Sequence, residues 1–195
     1  RLRCDWSSDV CSSDLALEIS IQLKGEIPES IELGVYQSAL DVCDKPNPDS
    51  LYDAKFSLQH CVSIAILCGQ VGFDSFESEA RQQASGLAKK FSLKCNEEFE
   101  KAYPDAWGAE VKVKLSNGEE ICVRRKHAKG DPDAPLSPAE MREKAAMLFS
   151  YGGVPDPENW VERILKLPGE PSFRDSDLHQ LLDVSGNGQW SMKDA

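Results

Sequence analysis

The segment Val111-Lys112-Val113-Lys114-Leu115-Ser116-Asn117-Gly118-Glu119-Glu120-Ile121-Cys122-Val123 decides the fold class. Val111, Val113 and Leu115 alternate with lysines, and Ile121 and Val123 resume the alternation after Asn117-Gly118. A period of two puts the apolar set on one face of a strand and the polar set on the other. Asn-Gly between two such runs suits a tight turn with positive φ angles, so the segment reads as a β-hairpin. Upstream, Ile31, Leu33 and Val35 alternate with Glu32 and Gly34, which predicts another strand with one buried face. Ser92 to Cys95 is a candidate for a further short strand. The helical stretches between these runs lack regular βαβ alternation. The fold class that follows is α+β: a small antiparallel sheet of about three to four strands with helices packed on one face.

The clearest helix spans Ala54 to Cys68. Ala54, Leu58, Cys61, Val62, Ala65 and Cys68 share one face at 100° per residue, and Phe56, His60, Ser63 and Leu67 form a second row. Two apolar rows imply burial on two sides. The first row would serve the domain's own core, and the second is expected to stay partly open toward a partner outside the chain. Ala16 to Lys24 reads as the tail of a helix ended by Gly25. Glu77 to Phe91 reads as a polar helix. Ser137-Pro138-Ala139-Glu140 combines an N-cap serine, a proline at the first helical position and a capping-box glutamate, and predicts a helix to about Tyr151. Pro157 opens another, through Trp160, Ile164 and Leu165, to near Pro168. Leu178 to Val184 would add a last turn or two before an unstructured SGNGQWSMKDA.

Acidic residues outnumber basic ones 33 to 22, for a net charge of −11. That balance argues against a nucleic-acid or anionic-membrane surface and favours small molecules or proteins as partners. No apolar run approaches the roughly 20 residues that span a bilayer, and the N-terminus has no signal-peptide core. The seven cysteines form no CxxC pair and the three histidines are scattered, so zinc spacing is absent. Cys61 and Cys68, inside the apolar helix, read as reduced core thiols of a cytoplasmic protein, with a disulfide framework as the minor alternative.

Residues 1–15, RLRCDWSSDVCSSDL, follow neither helical nor strand period. DVCSSDL resembles a translated sequencing-library adapter. The segment is therefore set apart from the fold and expected to make no packed contacts, with the natural chain continuing upstream; the alternative is a disordered natural terminus. The remaining divisions are a domain over 16–170 and a partly disordered extension over 171–195.

Several segments together resemble the second domain of the MmgE/PrpD family. They are Tyr52-Asp53-Ala54-Lys55-Phe56-Ser57-Leu58-Gln59-His60-Cys61, Gly69-Gln70-Val71-Gly72, Ala102-Tyr103-Pro104, and Lys129-Gly130-Asp131-Pro132 with Pro135-Leu136-Ser137 and Lys144. The resemblance implies a usually homodimeric enzyme of two domains. A larger helical domain supplies most catalytic residues, and the smaller α+β domain closes over the cleft as a lid. Its substrates are small polycarboxylates, as in 2-methylcitrate dehydratase, cis-aconitate decarboxylase and iminodisuccinate epimerase. No metal or organic cofactor is implied. The family's Lys…Cys…His segment is expected just upstream of Ala16. The present chain would then be a lid without its catalytic partner, and the alternative is a stand-alone dimerisation or binding module.

His60 is the candidate catalytic residue. Family members often have tyrosine here, and a histidine suits donating a hydrogen bond to a carboxylate or moving a proton near neutral pH. The alternative is a core histidine satisfied by the backbone. Lys55, Ser57 and Gln59, at the start of the helix, are candidate substrate contacts because a helix N-terminus with a lysine attracts anions. Against this, Ser57 and Lys55 could cap and solvate the first turn. Ile64, one turn beyond His60, is a candidate cleft wall or plain core. Arg124, Arg125, Lys126, His127 and Lys129 form the one basic cluster, either a polyanion attractor or a solvated rim.

Overall fold

The computed structural model of the chain describes residues 10–166. It divides into two units, Arg1–Glu140 and Met141–Ala195. The first holds a four-stranded sheet in the order β2-β1-β3-β4, made of β1 (Ser30–Val35), β2 (Phe91–Cys95), β3 (Ala109–Lys114) and β4 (Glu120–Arg125). The expected hairpin is β3–β4, with Val113 opposite Ile121 and Val111 opposite Val123. β1 runs antiparallel to β3, setting Ile31 opposite Val113 and Leu33 opposite Val111. These registers put Ile31, Leu33, Val35, Val111, Val113 and Ile121 on one buried face. β1 and β2 pair in parallel, so the sheet is mixed where a wholly antiparallel one was expected. A parallel neighbour needs a long crossover, and residues 36–90 provide it. The α+β class stands.

The second face of the sheet is polar. The Glu32 carboxylate pairs with Lys94 at 2.5 Å and lies 3.7 Å from Lys112, which also pairs with Glu110 at 3.0 Å. One end of this face is crossed by α6 (Glu97–Ala102), a helix that sequence reading did not anticipate. Asn96 starts it, its Oδ1 accepting the N–H groups of Glu98 and Phe99. Phe99 is buried over Gly108. A Cβ at position 108 would come within 2.3 Å of the Phe99 ring, so only glycine admits this contact.

The apolar face is covered by α1 (Val10–Leu23), which lies against β3 and β4. The expectation that residues 1–15 make no packed contacts is corrected for residues 12–15. Ser12, Ser13, Asp14 and Leu15 are buried, with Leu15 0 % exposed in the main core. Trp6 lies outside the described residues. The helix that ends at Leu23 begins at Val10, so its buried stripe extends through Leu15, Ala16 and Ile19.

The single helix read over Ala54 to Cys68 is two: α3 (Leu51–Lys55) and α4 (Leu58–Cys68). Ser57 breaks them. Its backbone is extended at φ −115° and ψ 110°, and its Oγ accepts the His60 N–H at 3.0 Å. A serine that bonds the backbone two or three residues ahead competes with helix continuation and starts a new helix instead. Gly69, at φ 65°, ends α4 in the left-handed conformation that glycine adopts without strain. α4 packs between α1 and α5 (Ser78–Ala88), with a short 3-10 turn, Phe73–Phe76, leading into α5. The thiols of Cys43 and Cys61 are buried, whereas Cys68, expected in the core, is exposed on the last turn of α4. Cys43 ends α2 (Gln37–Cys43), which lies against β2.

α7 (Pro138–Tyr151) begins at the predicted capping box. Ser137 Oγ accepts the Glu140 N–H at 3.2 Å, and the Glu140 carboxylate accepts the Ser137 N–H at 2.9 Å. These bonds, with Lys129 at 3.1 Å, pull the Glu140 carboxyl down to about 2. In the second unit, Arg142 of α7 pairs with Glu162 of α8 (Pro157–Lys166) at 3.0 Å. The Arg163 guanidinium stands 4.8 Å over the Trp160 ring. The predicted turn at Leu178–Val184 and the C-terminal extension lie outside the described residues. Among the described residues, no helix is long and apolar enough to cross a membrane.

Candidate functional site

Ser57 and Gln59 strap a loop onto the start of α4. Ser57 Oγ donates to the Lys45 carbonyl at 2.6 Å. Gln59 Oε1 accepts the Lys45 N–H at 3.2 Å, and its Nε2 donates to Asp44 Oδ1 at 2.6 Å. The side chains read as substrate contacts are thus engaged in internal bonds. Their effect is to hold Pro46-Asn47-Pro48-Asp49 beside the helix. That turn forms one wall of a cleft of about 200 Å3, α5 supplies Arg81 and Ser85 to another, and His60 lines it between them.

The expectation that Phe56, His60, Ser63 and Leu67 would be partly exposed holds only at the ends of the row. Phe56 and Leu67 are half-buried, but His60 is 2 % exposed and Ser63 is fully buried. The cover comes from α1 and α5, both within the first unit. Ile64 is core and does not line the cleft. Lys55 ends α3, half-buried.

His60 Nε2 lies 2.7 Å from the Ser75 carbonyl oxygen. A carbonyl only accepts, so Nε2 carries the proton and Nδ1 keeps a lone pair. Nδ1 is buried with no hydrogen-bond partner among the described residues, as is Ser63 Oγ. Burial holds the His60 imidazole below its ordinary value of 6.5. The Ser75 bond opposes that shift and the charge of Arg81 adds to it. At neutral pH the ring is therefore uncharged and its single donor is occupied. Donation to a carboxylate, one of the two roles expected of it, is closed to this form, and acceptance through Nδ1 remains.

Arg81 was not singled out from sequence. Its Nη1 donates to the Phe76 carbonyl at 2.6 Å. No carboxylate of the described residues pairs with it, and its remaining donors are unspent. Nothing local to the polar helix distinguishes Arg81 from a solvated arginine, because its partnership with His60 spans 21 positions and arises from the packing of α5 on α4. The basic cluster, by contrast, disperses. Arg124 pairs with Glu98, Arg125 with Glu18, Lys129 with Glu140 at 3.1 Å, and His127 lies 3.7 Å from Asp133. Arg124 and Arg125 are neighbours on a strand and leave from opposite faces.

The buried neutral imidazole makes stability depend on pH. Because the folded-state value is depressed, unfolded chains bind the His60 proton more readily than folded ones. The contribution is complete above about 6.5 and is lost as pH falls through the lower folded value. The depressed carboxyls of Glu32, Asp53 and Glu140 act further down, below their ordinary values of 4.5, 3.8 and 4.5. Thermal unfolding from pH 7.5 to 5 should therefore show a fall in Tm that His60→Phe flattens. An equally steep fall in the variant would assign the effect elsewhere.

The MmgE/PrpD C-terminal domain model matches residues 11–165. No curated protein matches the chain. The match begins inside α1 and ends inside α8, taking in the whole sheet, the His60 cleft and the capping box of α7. The chain therefore belongs to the MmgE/PrpD family and carries its C-terminal domain.

Proposed function

We propose that this domain is the lid of a lyase or isomerase acting on a small polycarboxylate, in the manner of a 2-methylcitrate dehydratase. The carrying observation is the family match over 11–165, since the family is one of dehydratase- and lyase-type enzymes. The cleft supplies chemistry that fits. A guanidinium with unspent donors receives a carboxylate in a planar, two-bond arrangement, which is the proposed part of Arg81. The neutral His60 ring keeps a lone pair on Nδ1. Because Nδ1 is buried, substrate must part the cleft wall before Nδ1 accepts a proton from the carbon beside that carboxylate, or a hydroxyl hydrogen. Ser57 and Gln59 act as positioning residues, fixing the first turn of α4 and the cleft wall, whereas Lys55 does not line the cleft. The other catalytic groups come from the helical domain of a cytoplasmic homodimer, and the chemistry uses neither metal nor organic cofactor.

This assignment predicts binding without turnover by the isolated chain. Titration with cis-aconitate or citrate should shift the His60 ring resonances in an NMR spectrum, and Arg81→Ala should weaken binding about 10-fold or more, the loss of one charged hydrogen-bonded pair. Acetate should bind far more weakly. The reading is overturned if no polycarboxylate perturbs His60, or if purified chain alone turns over 2-methylcitrate or cis-aconitate. The first of these outcomes would favour a non-catalytic α+β dimerisation or binding module. One observation keeps that second reading in play: α1 and α5 already cover α4, so the core closes without another domain.

A further inference from the structure

Among the described residues, β4 is an edge strand with β3 on one side and no strand on the other. Its six residues pair with β3 without interruption from Ala109–Arg125 to Lys114–Glu120, so no bulge twists the edge away. It contains no proline. Proteins normally blunt such edges with prolines, bulges or inward-pointing charges, because unpaired N–H and C=O groups template pairing with another chain. Of these devices β4 carries only Arg125, at its last position, where the charge is paired with Glu18 of α1.

The direction of those groups follows from the turn. The Leu115 N–H donates to the Glu119 carbonyl at 2.8 Å, which makes Leu115–Glu119 a hydrogen-bonded position. Such positions alternate along an antiparallel ladder. Ile121, Val123 and Arg125 therefore spend their backbone groups on β3, while those of Glu120, Cys122 and Arg124 face outward.

We propose that this edge pairs antiparallel with β4 of a second copy of the chain, about a two-fold axis at Cys122. The side chains select that register. A two-fold axis normal to the sheet at Cys122 sets Glu120 opposite Arg124 of the second copy, and the reverse, on the polar face. It sets Ile121 opposite Val123 of the second copy on the apolar face. Opposite charges meet, apolar residues meet, and the outward backbone groups of Glu120, Cys122 and Arg124 face their counterparts. Shifting the axis to Val123 sets Arg125 opposite Ile121. Shifting it to Ile121 sets Val123 opposite Glu119. The other edge strand, β2, offers no equivalent, since centring it on Leu93 sets Ser92 opposite Lys94 and Phe91 opposite Cys95. α2 also lies against β2. Beneath β4, α1 would meet its own copy and extend the contact below the joined sheets. The pairing is independent of the chemistry proposed for the His60 cleft.

Sedimentation velocity on the 195-residue chain at rising concentration should show a monomer–dimer equilibrium. Cys122→Pro deletes an outward N–H and leaves the ladder to β3 intact, so it should weaken the dimer with Tm little changed. Glu120→Arg places arginines opposite each other at two symmetric positions and should raise the dissociation constant about tenfold. Adding Arg124→Glu should restore dimerisation, although it sacrifices the bridge from Arg124 to Glu98 within each chain. That rescue separates pairing between copies from simple stabilisation. A short bismaleimide should join two chains through Cys122 when Cys4, Cys11, Cys68 and Cys95 are serine. Monomer at every concentration, a dimer indifferent to all these changes, or a charge swap that fails to restore association would each overturn the proposal.

Discussion

Phe76→Ala is expected to lower the free energy of unfolding by about 3–5 kcal/mol, the range for removing a buried aromatic ring. Phe76 is 1 % exposed and belongs to the main core. It ends the 3-10 turn that joins α4 to α5, and its ring centre lies 5.8 Å from that of His60. Its carbonyl also receives Arg81, so the residue ties the cleft's cation to the core. Truncation should leave a void beside the imidazole. Water entering there would ease the burial that holds the His60 value down, so the variant should also lose part of the fall in Tm between pH 7.5 and 5. Chemical denaturation measures the first effect and the pH series the second. A loss below about 1 kcal/mol would mean that the ring sits in a site able to collapse around its absence.

Leu15→Ala is expected to cost about 2–5 kcal/mol. Leu15 is fully buried, and α1, which carries it, lies against β3, β4 and α4. This outcome decides between two pictures of the N-terminal segment. If residues up to Leu15 were an unpacked appendage, the substitution would change nothing measurable, as surface changes commonly stay within about 0.5 kcal/mol. Ile21→Ala on the same helix provides the comparison. Ile21 is half exposed and should cost much less, because alanine is the better helix former and little buried surface is lost; a similar loss at both positions would count against a special role for Leu15 in the core.

The hairpin, the strand at Ile31–Val35 and the helix start at Ser137 were legible because each rests on neighbours in sequence. Alternation, an Asn-Gly turn and a reciprocal Ser–Glu cap need no distant partner. Reading Ser57 as a possible cap was sound for the same reason, yet continuing one helix through it was not. An apolar period persists across a break if both halves bury the same side, so periodicity alone did not report the extended Ser57 backbone. α2 and α6 escaped notice because at seven and six residues they are too short to show a period.

Sequence alone determined the α+β class, the family resemblance, the turn chemistry and the presence of a doubly apolar helix carrying His60. Tertiary structure decided what meets that helix. It set α1 and α5 on its two flanks, closed His60 off from solvent, and committed Nε2 to the Ser75 carbonyl. It also brought Arg81 to the cleft and sent Arg124 and Arg125 to opposite faces of β4. Period and propensity describe how a segment presents its own side chains. Burial, tautomer and pairing depend on which distant segment fills the space opposite, and that choice is made only when the whole core packs at once.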